Sequence, residues 1–108
     1  MSEFSEKVIT ILKAIPEGKV VSYGQVADCA GNNRGARAVV YILRSKSQRG
    51  QLPWHRVIGK TGQIRIKGAE AYLTQKHLLE IEGVIVSNSG MVDMEIYRWD
   101  CHGYDHML

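Results

Sequence analysis

Residues 19–45 read KVVSYGQVADCAGNNRGARAVVYILRS, and the fold turns on how this stretch divides. Lys19-Val20-Val21 predicts a short extended link. Ser22 then stands three residues ahead of Gln25, the spacing of a capping box. In that device the hydroxyl accepts the third helical amide and the glutamine side chain returns to the cap's own N–H. A helix over residues 23–30 follows. Gly31-Asn32-Asn33 predicts a turn, and Arg34 to about Ser45 predicts a second helix. Two short helices around a glycine-containing turn suggest a helix-turn-helix.

Working outward, Val8, Ile11, Leu12 and Ile15 fall at helical spacing, and Pro16 with Gly18 ends that helix. Glu3 and Glu6, with breaks at Thr10 and Lys13, make it an amphipathic helix and not a signal peptide. Downstream, residues 48–53 predict an irregular connector. His55 to Ile58 and Gln63 to Ile66 predict two short strands paired across Gly59-Lys60-Thr61-Gly62. Ala69 to Glu82 predicts a third amphipathic helix stopped by Gly83, with Tyr72, Lys76, Leu79 and Glu80 as its marked positions. VIVSNSGMV (84–92) predicts a hairpin turning at Asn88-Ser89-Gly90, in the place of a wing. The tail DCHGYDHML lacks periodicity. These readings give an α+β, mainly helical chain: one small winged helix-turn-helix-like DNA-binding domain over 1–100, and a disordered tail over 101–108.

At 108 residues there is room for one core, burying about 60–70% of the unfolded chain's surface. No stretch approaches the roughly 20 apolar residues that span a bilayer, so no membrane partner is expected and the location expected is cytoplasmic. Cys29 and Cys101 are too few for a disulfide framework, and no metal-ligand spacing surrounds either. Neither a metal nor a cofactor is expected.

The net charge of +3 hides an uneven distribution. Between Asp28 and Glu70 there is no acidic residue, while Arg34, Arg37, Arg44, Lys46, Arg49, Arg56, Lys60, Arg65 and Lys67 fall in that interval. Solvated surfaces ordinarily mix signs. Unopposed cations suit a polyanion, and nucleic acid fits best because each phosphate contact releases counterions. The alternative is a merely basic solvated face.

Four segments in order, IPEGKVVSYGQVA, GARAV, PWHRVIGKTGQI and LLEIEG, resemble the C-terminal DNA-binding domain of the O6-alkylguanine-DNA alkyltransferases. The resemblance covers residues 5 to about 83. That family's active-site motif is Pro-Cys-His-Arg-Val, and here Trp54 stands in the place of the nucleophilic cysteine. The departure, with no N-terminal domain ahead of it, marks the alkyltransferase-like proteins. Removing an alkyl group from guanine O6 requires a polarisable thiolate. An indole offers only an N–H donor, so Trp54 cannot accept the group. Cys29 reads as small core filler, and Cys101 lies in the tail. No catalytic residue is assigned.

The resemblance implies roles position by position. Tyr23 matches the tyrosine that crowds a DNA phosphate and bonds the flipped base. Arg37 matches the arginine finger that fills the gap left by an everted nucleotide, and Ala36 and Ala38 beside it let the helix approach a groove closely. Arg34 and Lys46, taken from the acid-free interval and not from the resemblance, are assigned to phosphates. Tyr23, Trp54, Val57, Arg65 and Lys67 are assigned to an alkylguanine pocket, with the carbonyls of Trp54 and Val57 reading the guanine amino group. Arg65-Ile66-Lys67-Gly68 replaces the family's Tyr-Ser-Gly-Gly and puts a cation on the rim. Arg56 is read as scaffold. His55 and Glu82, a relay in the enzymes, have no cysteine to activate and are read as a hydrogen-bonded brace.

What this implies is a monomeric, non-enzymatic sensor that flips O6-alkylguanine out of double-stranded DNA and marks it for nucleotide excision repair. In a bacterium it would be nucleoid-associated and the partner would be the UvrA damage-recognition protein. Two rivals stand beside it: a sequence-specific helix-turn-helix transcription factor, and a residual alkyltransferase using Cys101. The alanines around Arg37 leave the first few side chains with which to read base edges.

Overall fold

The computed structural model describes residues 2–102, and within them residues 46–50 by backbone alone. Helix α1 (Glu3–Ala14) is capped by the Ser2 side chain on the Ser5 amide and buries Val8, Ile11 and Leu12. Strand β1 (Val21–Ser22) leads directly into α2 (Tyr23–Cys29), and α3 (Ala36–Gly50) follows the turn. A 3-10 turn over Trp54–Arg56 precedes β2 (Val57–Ile58). Helices α4 (Ala69–Ile81) and α5 (Met94–Tyr97) complete the order. The fold is the expected one: a small, mainly helical α+β domain built on a helix-turn-helix.

The capping box forms as the sequence requires. Ser22 Oγ accepts the Gln25 amide at 3.1 Å, and Gln25 Oε1 accepts the Ser22 amide at 3.3 Å. Gln25 Nε2 also donates to the Trp99 carbonyl. A single glutamine therefore fixes the start of α2 and ties it to the C-terminal segment. At the turn, Gly35 is constrained by packing: a Cβ there would come within 2.7 Å of the Phe4 ring. Any other residue there would have to push the Phe4 ring aside.

Strands β1 and β2 pair in parallel, Val21 with Val57 and Ser22 with Ile58. They separate two apolar clusters. Val21 and Val57 face α1, α2 and α3, while Val20 and Ile58 face Ile64, Leu79, Val84, Val86 and Val92. Alternation along each strand supplies both cores at once.

Several expectations are corrected. The segment 55–58 does not pair with 63–66. His55 and Arg56 lie in the 3-10 turn, β2 takes β1 instead, and Gln63 bridges Met91. The expected 84–92 turn is present, with Val86 opposite Val92 and the Ser87 amide on the Met91 carbonyl at 2.9 Å. Its partner is the 62–64 loop, through Val92 N to Gly62 O (2.8 Å) and Ile64 N to Gly90 O (3.0 Å). Helix α3 starts two residues later than expected and runs to Gly50, so the connector shrinks to about three residues; Gln51 ends the helix at φ 50°.

The tail boundary also moves. Val20 exchanges hydrogen bonds with the carbonyl of Tyr97 and the amide of Trp99, extending pairing along the free edge of β1. Cys101 then enters the first core, 2% exposed, and forms a disulfide with Cys29 with their Cα atoms 6.1 Å apart. The domain therefore includes Cys101 and His102, and Cys101 is no accessible alkyl acceptor. The remainder of the expected tail, 103–108, lies outside the described residues.

Candidate nucleic-acid interface

Helix α3 buries Val39, Ile42 and Leu43. By helical spacing the opposite face carries Arg37, Tyr41 and Arg44, all exposed. Tyr41 is 71% exposed, a large ring left in solvent between two guanidiniums. The sequence reading did not single it out, although the i, i+4, i+7 spacing with Arg37 and Arg44 was present. Ala36 is half-buried in the first turn, and Arg34 is exposed on the preceding loop, its amide held by Asn32 Oδ1 at 3.1 Å. Lys46 sits on the helix past Arg44, and its side chain lies outside the described residues.

Tyr23 and Trp54 come from different elements to the margin of the same apolar cluster, each half-buried. Burial raises the pKa of the Tyr23 phenol, against the smaller opposing pull of Arg65 and then Arg44. The phenol therefore stays a hydrogen-bond donor at neutral pH with two cations nearby. Arg65 reaches this place from the loop after β2, where its stem packs over Gly59. Arg44 and Arg65 thus both act electrostatically on the Tyr23 phenol, and Arg44, counted only among the cations in the sequence, joins the candidate site. Lys67 is exposed further along the same loop.

The ring of Trp54 stands edge-on to His55, centroids 6.3 Å apart at 84°. The Trp54 carbonyl accepts the Val57 amide, and the Val57 carbonyl accepts Gln75 Nε2 at 3.1 Å. Each keeps a second lone pair. The Val57 side chain is fully buried, so only its carbonyl can belong to a pocket.

Gln75, absent from the sequence-based site, is 1% exposed. Its amide donates to both His55 O and Val57 O at 3.1 Å, pinning the 54–57 turn to α4. Its Oε1 has no partner among the described residues. The signal was available: Tyr72, Gln75 and Leu79 lie at i, i+3, i+7 on one stripe, and a glutamine on an apolar stripe must have found partners.

Beneath the turn lies an ionic knot. Glu82 accepts His55 Nε2 (2.6 Å), Arg56 Nε and Nη2 (2.9 and 2.7 Å), and the Gly18 amide (2.9 Å). Arg56 Nη1 donates onward to Ile15 O at 2.9 Å. The Glu82 side chain is 7% exposed. Burial would raise its pKa, but Arg56, the Gly18 amide and His55 together hold it at about 2. Arg56 is thereby withdrawn from the cation set that can meet phosphates.

The arrangement offers a basic helix face with one exposed aromatic, a phenol donor under the influence of two guanidiniums, and an indole where a reactive group would stand. A profile described as 6-O-methylguanine DNA methyltransferase, DNA binding domain, matches residues 3–84. The DNA base-flipping protein of Escherichia coli K12 is 43% identical over 97 residues, spanning 90% of this chain and 74% of that protein. Alkyltransferase-like protein 1 of Schizosaccharomyces pombe is 34% identical over 104 residues, 92% of this chain and 96% of that one. The crystal structure of S. pombe Atl1 in complex with damaged DNA containing O6-carboxymethylguanine superposes with a TM-score of 0.82 at 33% identity, over 92% and 96% of the two chains. The chain belongs to the family of 6-O-methylguanine DNA methyltransferase DNA-binding domains, as one of its alkyltransferase-like members.

Proposed function

We propose that this chain is a non-enzymatic sensor of O6-alkylguanine in duplex DNA. The observation that carries the reading is Trp54: an indole occupies the nucleophile's place in the family motif, while the surrounding scaffold of Tyr23, His55, Arg56 and Glu82 is kept. In this reading α3 enters a groove with Arg34 and Lys46 on phosphates. Arg37 fills the stack, and the everted base lies beside Trp54 between Tyr23 and the Arg65–Lys67 rim. Flipping costs a few kcal/mol, less where alkylation has weakened pairing, which gives one source of selectivity. Since nothing is removed from the base, the complex acts as a mark. Nucleotide excision repair is the process that reads it, through UvrA in a bacterium, with the protein at the nucleoid. The complex of S. pombe Atl1 with damaged DNA supports the reading.

The test is binding to matched duplexes with and without one O6-methylguanine, using the wild type and Arg37→Ala. The finger acts only after a base has left. Its loss should therefore cost about 1–3 kcal/mol on the lesion duplex, about 5- to 150-fold, and less on the unmodified one. Equal losses on both would make Arg37 an ordinary phosphate ligand.

Trp54→Cys recreates Pro-Cys-His-Arg-Val, yet it should take up little or no methyl group, as followed by protein mass analysis. The rim at residues 65–68 differs from the enzymes, and a nucleophile misplaced by about 1 Å loses roughly 100-fold in rate. Transfer at the rate of a true alkyltransferase would overturn the account of the pocket.

A further inference from the structure

The fold closes a constellation that DNA binding does not use. Cys29 ends α2, and Cys101 and His102 arrive after the chain has run along the outer edge of β1. One donor atom from each lies within 4.8 Å of the others. No local motif marks it, because 72 residues separate the cysteines and no short ligand spacing exists.

Each ring nitrogen of His102 faces a carboxylate: Nε2 is 2.9 Å from Asp28 Oδ2, and Nδ1 is 3.4 Å from Asp100 Oδ1. A metal-bound imidazole commonly donates its second N–H to a carboxylate, which orients the ring and raises its basicity. Here that acceptor is provided whichever nitrogen binds. Cys101 is also held in place. Cys101 is buried with its Sγ 3.4 Å from Gln25 O, and Gln25 is itself held by the capping box and by Trp99.

We propose that in its reduced form this cluster binds one Zn2+ through Cys29, Cys101 and His102, with Asp28 or water in the fourth position. A dithiol first supplies two electrons and two protons to the Cys29–Cys101 bond and becomes a disulfide itself. Zn2+ then displaces the two thiol protons and is held by two thiolates. At Zn–S of about 2.3 Å, two sulfurs on a tetrahedral ion stand about 3.8 Å apart. Cα atoms 6.1 Å apart reach that separation by side-chain rotation. Two thiolates and an imidazole favour zinc over magnesium or calcium. Because the same sulfurs serve both bonds, metal and disulfide exclude each other. Either one clasps the C-terminal segment to α2, the helix whose first residue is Tyr23. Reduced, metal-free protein lacks the clasp.

The full chain is reduced with a phosphine, stripped of metal, and titrated with Co2+ and then Zn2+. The expected result is one Co2+ per chain with a thiolate-to-cobalt charge-transfer band, displaced by one Zn2+. The oxidised chain and the Cys29→Ser and Cys101→Ser variants should lack the band. His102→Ala changes an exposed side chain and leaves the core intact, and it should weaken Zn2+ binding at least about 10-fold. Zn2+ should also raise the Tm of the reduced wild type and leave that of the cysteine variants unchanged. A reduced wild type without the band, a band that survives either serine substitution, or unchanged affinity in His102→Ala would each overturn the proposal.

Discussion

Glu82→Ala should lose about 3–5 kcal/mol of folding stability. The carboxylate accepts from four nitrogens of Arg56, His55 and Gly18 in a nearly buried position, and its removal strands the Arg56 guanidinium. A domain of this size moves about 4–8 °C in Tm per kcal/mol, so a fall of about 12 °C or more is expected by calorimetry. Adding Arg56→Met should recover part of the loss, because removing both partners leaves no uncompensated charge. A single variant within about 1 kcal/mol of wild type would show that the knot is not structural.

The same group sets an acid limit. Its folded pKa is about 2, below the ordinary value of 4.5, so between those values the unfolded chain binds the extra proton. The contribution is complete above pH 4.5 and is lost as pH falls through 2. It is worth roughly 3 kcal/mol at neutral pH. In Glu82→Gln the stability profile should be flatter over that window than in wild type. This explains why the His–Glu pair persists beside a tryptophan: Glu82 holds α4 to the 54–57 turn and to Gly18, whether or not a cysteine is present.

How much of this was legible depended on the range of the interactions. The helix-turn-helix was readable because the Ser22–Gln25 box and the spacing of Val8, Ile11, Leu12 and Ile15 are local patterns. The sheet was misread because two short apolar runs near one another look like a hairpin, and nothing in VI at 57–58 specifies VS at 21–22 as its partner. The Cys29–Cys101 bond was invisible for the same reason. Helix α3 was cut short because Gln48, Arg49 and Gly50 carry no apolar period, and a helix end without a clear stop signal is set by what the chain does next. Of the candidate site, the motif resemblance supplied Tyr23, Arg37 and Trp54. It could not show that Arg44 and Arg65 act on the Tyr23 phenol, or that Gln75 props the turn, since those depend on three-dimensional closure.

Affinity for DNA should fall about 500-fold between 50 and 200 mM salt. Among the described side chains, six cations of the acid-free interval, Arg34, Arg37, Arg44, Lys60, Arg65 and Lys67, are exposed, while Arg56 is bound to Glu82. If about five phosphates are met, the slope of log K against log salt is about −4.5, at −0.9 per contact, and a fourfold rise in salt then gives the stated loss. Arg34→Ala should weaken lesion-bearing and undamaged duplexes alike and make the slope shallower by about 1. Arg56→Ala should leave the slope nearly unchanged at salt concentrations where the variant stays folded, since its guanidinium faces a carboxylate and not solvent. Lys7→Ala should leave it unchanged too, because α1 mixes Lys7 and Lys13 with Glu3 and Glu6, and Lys7 lies 3.4 Å from Glu3. Fluorescence anisotropy on one labelled duplex across a salt series measures all four slopes. A flat wild-type slope would remove the polyanion reading of the interval from Asp28 to Glu70. A Lys7 effect equal to that of Arg34 would show that the response belongs to net charge and not to this face.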